Sequence, residues 1–155
     1  MYKRILLAAD GSREGLLALR EGALLAASYQ STVYLLVIDR ETPGTRMADG
    51  VNPLPRETDR DRLLELGLSR LSRLGVAASG AACAGEPAEI IGRVATRFEP
   101  DLVVLGHRRQ SLLDRWWSGS TGAYIVDYVN CSVLVARNSI SDEDFEARLQ
   151  AAVPT

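Results

Sequence analysis

Asp101-Leu102-Val103-Val104-Leu105-Gly106 is the stretch that decides the fold. Four consecutive apolar residues bounded by an acid and a glycine predict a strand apolar on both faces, as in the middle of a parallel sheet. Working outward toward the N-terminus, Gly85-Glu86-Pro87 puts a proline where the first turn of a helix tolerates it. Ile91, Val94, Ala95 and Phe98 then form one face, and the helix stops near Glu99-Pro100. Before it, Val76 to Cys83 is an Ala- and Gly-rich segment that reads as a weaker strand between two helices. Leu63, Gly67, Leu71 and Leu74, with Leu64 and Leu68 beside them, predict a helix closed by Gly75 as a C-cap.

Asp39 to Arg56 carries Pro43, Gly44, Gly50, Pro53 and Pro55 without hydrophobic periodicity and reads as a long connection, a kind of segment that is usually functional or mobile. Thr32 to Ile38 (TVYLLVI) is a buried strand. Leu16, Leu19, Ala23 and Ala26 predict a single helix from Ser12 to about Tyr29, and Arg4 to Ala9 (RILLAA) a strand ending at Asp10-Gly11-Ser12. Toward the C-terminus, a polar, arginine-bearing stretch leads to a Gly119-Ser120-Thr121-Gly122 turn. A helix follows with Ile125, Tyr128 and Val129 facing inward, and Cys131 to Ala136 (CSVLVA) makes a fifth strand.

Strands alternating with helices, each strand apolar on both sides, imply a doubly wound α/β fold: a five-stranded parallel sheet with helices on both faces. The domain is expected to occupy residues 1–137, with 138–155 as an extension. In that extension Ser141-Asp142-Glu143-Asp144 resembles a cap and acidic first turn, and Phe145 and Leu149 lie four apart. A short, loosely docked helix is expected.

Composition narrows the function classes. The chain has 155 residues, 46% of them hydrophobic, enough for one domain with a proper core. Eighteen basic against twenty acidic residues give a net charge of −2, so non-specific binding to nucleic acid or an anionic membrane is disfavoured. No apolar run approaches the ~20 residues that span a bilayer, and Met-Tyr-Lys-Arg leads directly into a strand, so neither a membrane helix nor a signal peptide is expected. Cys83, Cys131 and the single histidine, His107, lack the spacing of a disulfide framework or a zinc site. A reducing cytoplasm fits them, with both cysteines as small buried hydrophobes.

In an open parallel sheet, ligands bind beyond the carboxyl ends of the strands where strand order reverses. After the fourth strand come Gly106-His107-Arg108-Arg109, nine residues, then Gly119-Ser120-Thr121 at a helix start, whose amides and hydroxyls form an anion seat. This spacing resembles that of the ATP-binding members of the universal stress protein family, which have glycine, two residues, glycine, nine residues, then Gly-Ser or Gly-Thr. Arg109 stands where their second glycine is expected. The resemblance extends over nearly the whole chain: Tyr2 to Ser12, Val37-Ile38-Asp39, Gly85-Glu86-Pro87 and Asn130 to Arg137 are similar to family segments in the same order.

The resemblance implies a Rossmann-like fold of the adenine-nucleotide-binding type, with ATP as ligand, AMP or ADP as alternatives, and Mg2+ as an optional companion. It implies Asp10 beside the adenine, Ala9 and Val37 as neighbours of the base, and Gly106, Gly119, Ser120 and Thr121 at ribose and phosphates. Arg109 has two readings. It narrows the pocket where glycine would allow close backbone approach, or its guanidinium, with that of Arg108, binds phosphate. A homodimer through the edge from Ser132 to Ala136 is also implied, since a free apolar edge invites pairing.

Simpler roles stand beside these. Asp10 and Ser12 are good helix caps, Gly119-Ser120 is an ordinary helix start, and Trp116 and Trp117 are suited to packing a loop or a partner. Three functions follow in order: an adenine nucleotide binding protein with a regulatory role in stress response; a dimeric interaction module of the same family without nucleotide; and a slow ATP hydrolase. The last ranks lowest because the chain has no G-x-x-x-x-G-K-[ST] loop, no evident paired carboxylates for magnesium and no identifiable general base.

Overall fold

Arg4–Asp10 (β1) forms the middle of the sheet, flanked by Thr32–Asp39 (β2) on one side and Leu102–His107 (β4) on the other. The computed structural model describes residues 1–11, 13–39, 56–107, 125–137 and 139–152. Among these, five parallel strands run in the order β3-β2-β1-β4-β5, with Ala78–Ala84 (β3) and Ser132–Arg137 (β5) at the edges. The expected doubly wound α/β sheet is present. Ile5 to Ala9 are no more than 1% exposed, which is why that segment is apolar without alternation.

Alternating side chains of the central strands feed two cores. Ile5, Leu7, Val33, Leu35 and Val104 face one layer; Leu6, Ala8, Leu36, Val103 and Leu105 face the other. The first layer holds Arg13–Ala18 (α1), Arg20–Tyr29 (α2) and Arg56–Arg73 (α3). The single helix expected from Ser12 to Tyr29 is divided at Leu19, whose ψ of −1° departs from helical geometry. Leu19 N donates to Leu16 O at 3.2 Å, the tighter closure that ends α1, and Ala23 N returns to Leu19 O at 2.9 Å to begin α2. Leu16, Leu19, Ala23 and Ala26 stay on one buried face across the break.

Helix α3 lies close to β2: a Cβ built on Gly67 would fall 2.4 Å from Leu35 Cδ2. It closes at Gly75, φ +73°, as expected for a glycine C-cap, with Val76 N bonded to Leu71 O. The third strand begins at Ala78, two residues later than Val76, because Val76 is still occupied in that cap. On the opposite layer, Pro87–Phe98 (α4) starts with its proline in the first turn and ends at Glu99, in a left-handed conformation before Pro100. Ile125–Tyr128 (α5) buries Ile125, with Val129 just beyond it, whereas Tyr128, expected to face inward, is 40% exposed and lies along Gly92 at the rim of that core. Both cysteines are half-buried rather than enclosed.

The terminal helix, Asp142–Ala151 (α6), is an integral part of the first core, not a loose appendage. Ser141 caps it, accepting from Asp144 N at 3.0 Å. Phe145 and Leu149 are 2% and 0% exposed. Arg20, at the start of α2, is buried beneath the helix. Its Nη1 donates to the Ile140 carbonyl at 2.9 Å, its Nη2 pairs with the Asp142 carboxylate, and its guanidinium sits 5.2 Å from the Phe145 ring centre. Arg73 of α3 adds an exposed ion pair to Glu146 at 3.3 Å, a rim contact of little energy.

Because Phe145 fills the seam between α2, α3 and the sheet, Phe145→Ala is expected to cost about 3–5 kcal/mol in urea denaturation. A loss below about 1 kcal/mol would show that α6 is not part of the cooperative core.

Candidate functional site

The sheet order places the reversal between β1 and β4: the chain leaves β1 toward β2 on one side, and returns to β4 on the other. The carboxyl ends of these strands therefore frame the candidate crevice. Ala9 and Asp10 end β1, Val37 to Asp39 end β2, and Gly106 and His107 end β4. Ala9 is in register with Val37, and Ala8 with Leu105. The residues named from sequence as Ala9, Asp10, Val37 and Gly106 thus come together at one end of the sheet. Arg108, Arg109, Gly119, Ser120 and Thr121 lie outside the described residues, as do Ser12, the connection 40–55, Trp116 and Trp117.

Ala9 and Val37 are fully buried and contribute wall and backbone. Asp10 follows Leu6 and Ala8 on the face covered by α4 and α5, and at 8% exposed it is the one charged side chain buried at the end of β1. Burial of a carboxylate so close to a strand end requires hydrogen bonding or a positively polarised neighbour.

Gly106 has an additional structural reason to be glycine. A Cβ built on it would stand 2.4 Å from the Gly15 carbonyl oxygen of α1 and 3.4 Å from Leu19 Cδ2. Helix α1 therefore lies directly on the end of β4, and the missing side chain is what lets it approach. The close contact also brings the start of α1 to the crevice.

Asp39 stands at the candidate crevice, with no role assigned to it from the sequence. It follows the Val37-Ile38 pair on β2. Its side chain stands over Gly11, where a built Cβ would lie 3.2 Å from Asp39 Cβ. Its carbonyl accepts from Gly85 N at 3.0 Å, which ties the end of β2 to the turn before α4. The only signal in the sequence was the acid closing an apolar run, a pattern shared with any strand end. Two carboxylates, Asp10 and Asp39, thus occupy adjacent strand ends around the Gly11 turn. Among the described residues no cluster of three or more His, Cys, Asp or Glu side chains is arranged to hold a metal ion.

Comparison with known proteins agrees with this fold. A family model described as "Universal stress protein family" matches residues 1–137. The chain is 31% identical over 83 residues to Universal stress protein Sll1388 of Synechocystis sp., an alignment covering 54% of this chain and 54% of that protein, so it spans about half the length of that relative. It is 25% identical over 142 residues to Universal stress protein MJ0531 of Methanocaldococcus jannaschii, covering 88% of this chain and 83% of that one. Among solved structures, a universal stress protein in complex with cAMP superposes with a TM-score of 0.60 at 20% identity, covering 89% and 98% of the two chains. A universal stress protein family protein from Arabidopsis thaliana with AMP bound gives 0.58 at 18%, covering 87% and 91%. At these identities the structural likeness is one of fold.

Because the Gly106 contact is with backbone, which cannot rotate away, Gly106→Ala is expected to lower stability in the absence of any nucleotide, by about 1–3 kcal/mol in urea denaturation. A neutral substitution would mean that α1 is not held against β4 at this point.

Proposed function

The chain belongs to the universal stress protein family, and on that premise we propose that it binds an adenine nucleotide beyond the ends of β1 and β4 and acts as a regulatory binding protein in a stress response. ATP is the foremost candidate, with AMP and ADP as alternatives. The observation that carries this is the meeting of Asp10 and Gly106, distant in sequence, at the point where strand order reverses. The complexes of similarly folded proteins with cAMP and AMP support an adenine nucleotide as the ligand class.

In this proposal Ala9 and Val37 border the base and Asp10 accepts from it or from the ribose. Gly106, Gly119, Ser120 and Thr121 hold ribose and phosphates, with Arg108 and Arg109 neutralising phosphate charge. Those residues fit a nucleotide by type: a buried carboxylate for directional hydrogen bonds, and small and hydroxyl residues for close approach to phosphate. No described helix is long and apolar enough to cross a membrane, and the two unpaired cysteines suit the cytoplasm that we propose as its location.

A dimeric interaction module is the second reading, and one observation favours it. Strand β5 is an edge on which Val133, Leu134 and Val135 are only half-buried, the kind of edge a second subunit covers. The two readings are compatible within one protein; the module without nucleotide is the true alternative.

Denaturing the purified protein and identifying released nucleotide by mass spectrometry, followed by calorimetric titration with ATP and Mg2+, tests the first reading. Retained AMP or ATP, or micromolar binding, is expected; no heat at millimolar ATP would leave the interaction module. Arg109→Gly then reports the sign of the arginine. If the guanidinium grips phosphate, affinity falls about tenfold or more, whereas relief of an obstruction raises it. For the dimer, Val133→Lys is expected to give monomer or insoluble protein. A soluble, unchanged dimer by light scattering would remove β5 from the interface.

A further inference from the structure

Among the described residues, no helix covers the α4 side of edge strand β3. Helix α4 packs over β1 and β2, and β3 itself is built of small residues, so a groove of about 250 Å³ runs between them. Its floor is apolar, formed by Leu36, Ala81, Ile90 and Val94, and Cys83 opens into it. Arg93 and Arg97, one helical turn apart on α4, stand along its rim. Burial pushes the Cys83 thiol pKa up, and the positive charge of Arg60 and Arg93 pulls it partly back.

Among the described residues neither Arg93 nor Arg97 makes an ion pair, although Glu89 lies one turn before Arg93. Like charges one helical turn apart repel each other, so a ligand that supplies oxyanion acceptors between them is bound at a gain. The groove falls just below the usual size of a ligand pocket, which suits a single ring or branched chain better than a nucleotide. Its floor lies on β2 and the outer strand β3, whereas the proposed nucleotide crevice centres on the carboxyl ends of β1 and β4.

We propose that the groove between β3 and α4, rimmed by Arg93 and Arg97, binds a small amphiphilic anion: an oxyanion, carboxylate or phosphate monoester, carried on an aromatic or branched apolar body. The oxyanion sits among the guanidiniums and the apolar body lies on Leu36, Ala81 and Val94. This site does not depend on nucleotide binding elsewhere.

Cys83 supplies the assay. The rate of its alkylation by neutral iodoacetamide is followed by peptide mass spectrometry at constant ionic strength, with phenyl phosphate and phenylacetate as the two probes. Each is raised to about 10 mM, above a Kd of roughly 1 mM. Saturable slowing of Cys83 by at least one probe is expected, with Cys131 of the same molecules unaffected, and the probe that acts at lower concentration identifies the anionic group. Arg93→Gln combined with Arg97→Gln should raise the half-protecting concentration about tenfold or more. Both arginines are exposed, so the fold should be retained, as circular dichroism would verify. Shifts of the Ala81 and Ala84 amide resonances in the unaltered protein give an independent readout. The proposal is overturned by unslowed Cys83 with both probes, by equal slowing of Cys131, or by full protection in the double variant.

Discussion

Everything in this molecule depends on β1 being paired on both edges and buried on both faces. A strand with Ile5 to Ala9 almost wholly excluded from water needs a neighbour strand at each side and a helical layer above and below. Parallel pairing forces every neighbour to be reached by a crossover, and right-handed crossovers in opposite directions from β1 put α1 to α3 on one face and α4 and α5 on the other. The same requirement opens the sheet at the carboxyl ends of β1 and β4, where the connections diverge. The candidate site is therefore a consequence of how the central strand is covered.

The first layer shows how a charge can be accommodated in such a core. Arg20 is only 6% exposed, and an isolated guanidinium there would be strongly unfavourable. The terminal helix offsets most of that cost: a backbone carbonyl, a carboxylate and an aromatic face converge on Arg20 while Phe145 and Leu149 close the apolar seam, and Nε alone stays buried without a hydrogen-bond partner. The family match ends at residue 137, before this helix begins, so the helix that completes the core lies beyond the matched segment. Arg20 and α6 belong to one arrangement, since neither side of the contact is well satisfied without the other.

Much of the fold was legible because continuous apolar runs and helical periodicity report burial directly. Asp101 to Gly106, Thr32 to Ile38 and the leucines of α3 all read in one way. What was not legible depends on tertiary contact. The division of the first helix at Leu19 leaves the apolar period unbroken, and Tyr128 has the right spacing for an inward residue while the short α5 turns it to the rim. The docking of α6 was hidden because its partner is an arginine, a residue that a sequence reading assigns to solvent. At the site, Asp10 and Gly106 could be named from their positions after strands, but Asp39 could not be distinguished from any acid that ends a strand.

Gly106 shows why a motif residue and its role have to be separated. Its lack of a side chain is already required by the carbonyl of Gly15, so glycine at this position would be retained whether or not a nucleotide ever approached it. The nucleotide proposal accordingly draws its weight from Asp10, whose burial at a strand end packing alone does not demand. An apolar residue there would extend the β1 run at no desolvation cost, whereas a carboxylate must be supplied with donors. That cost is consistent with a function for the carboxylate at the crevice, either capping α1 or meeting a ligand. The two uses are not exclusive, because the amides that polarise the start of a helix are the same groups that receive an anion.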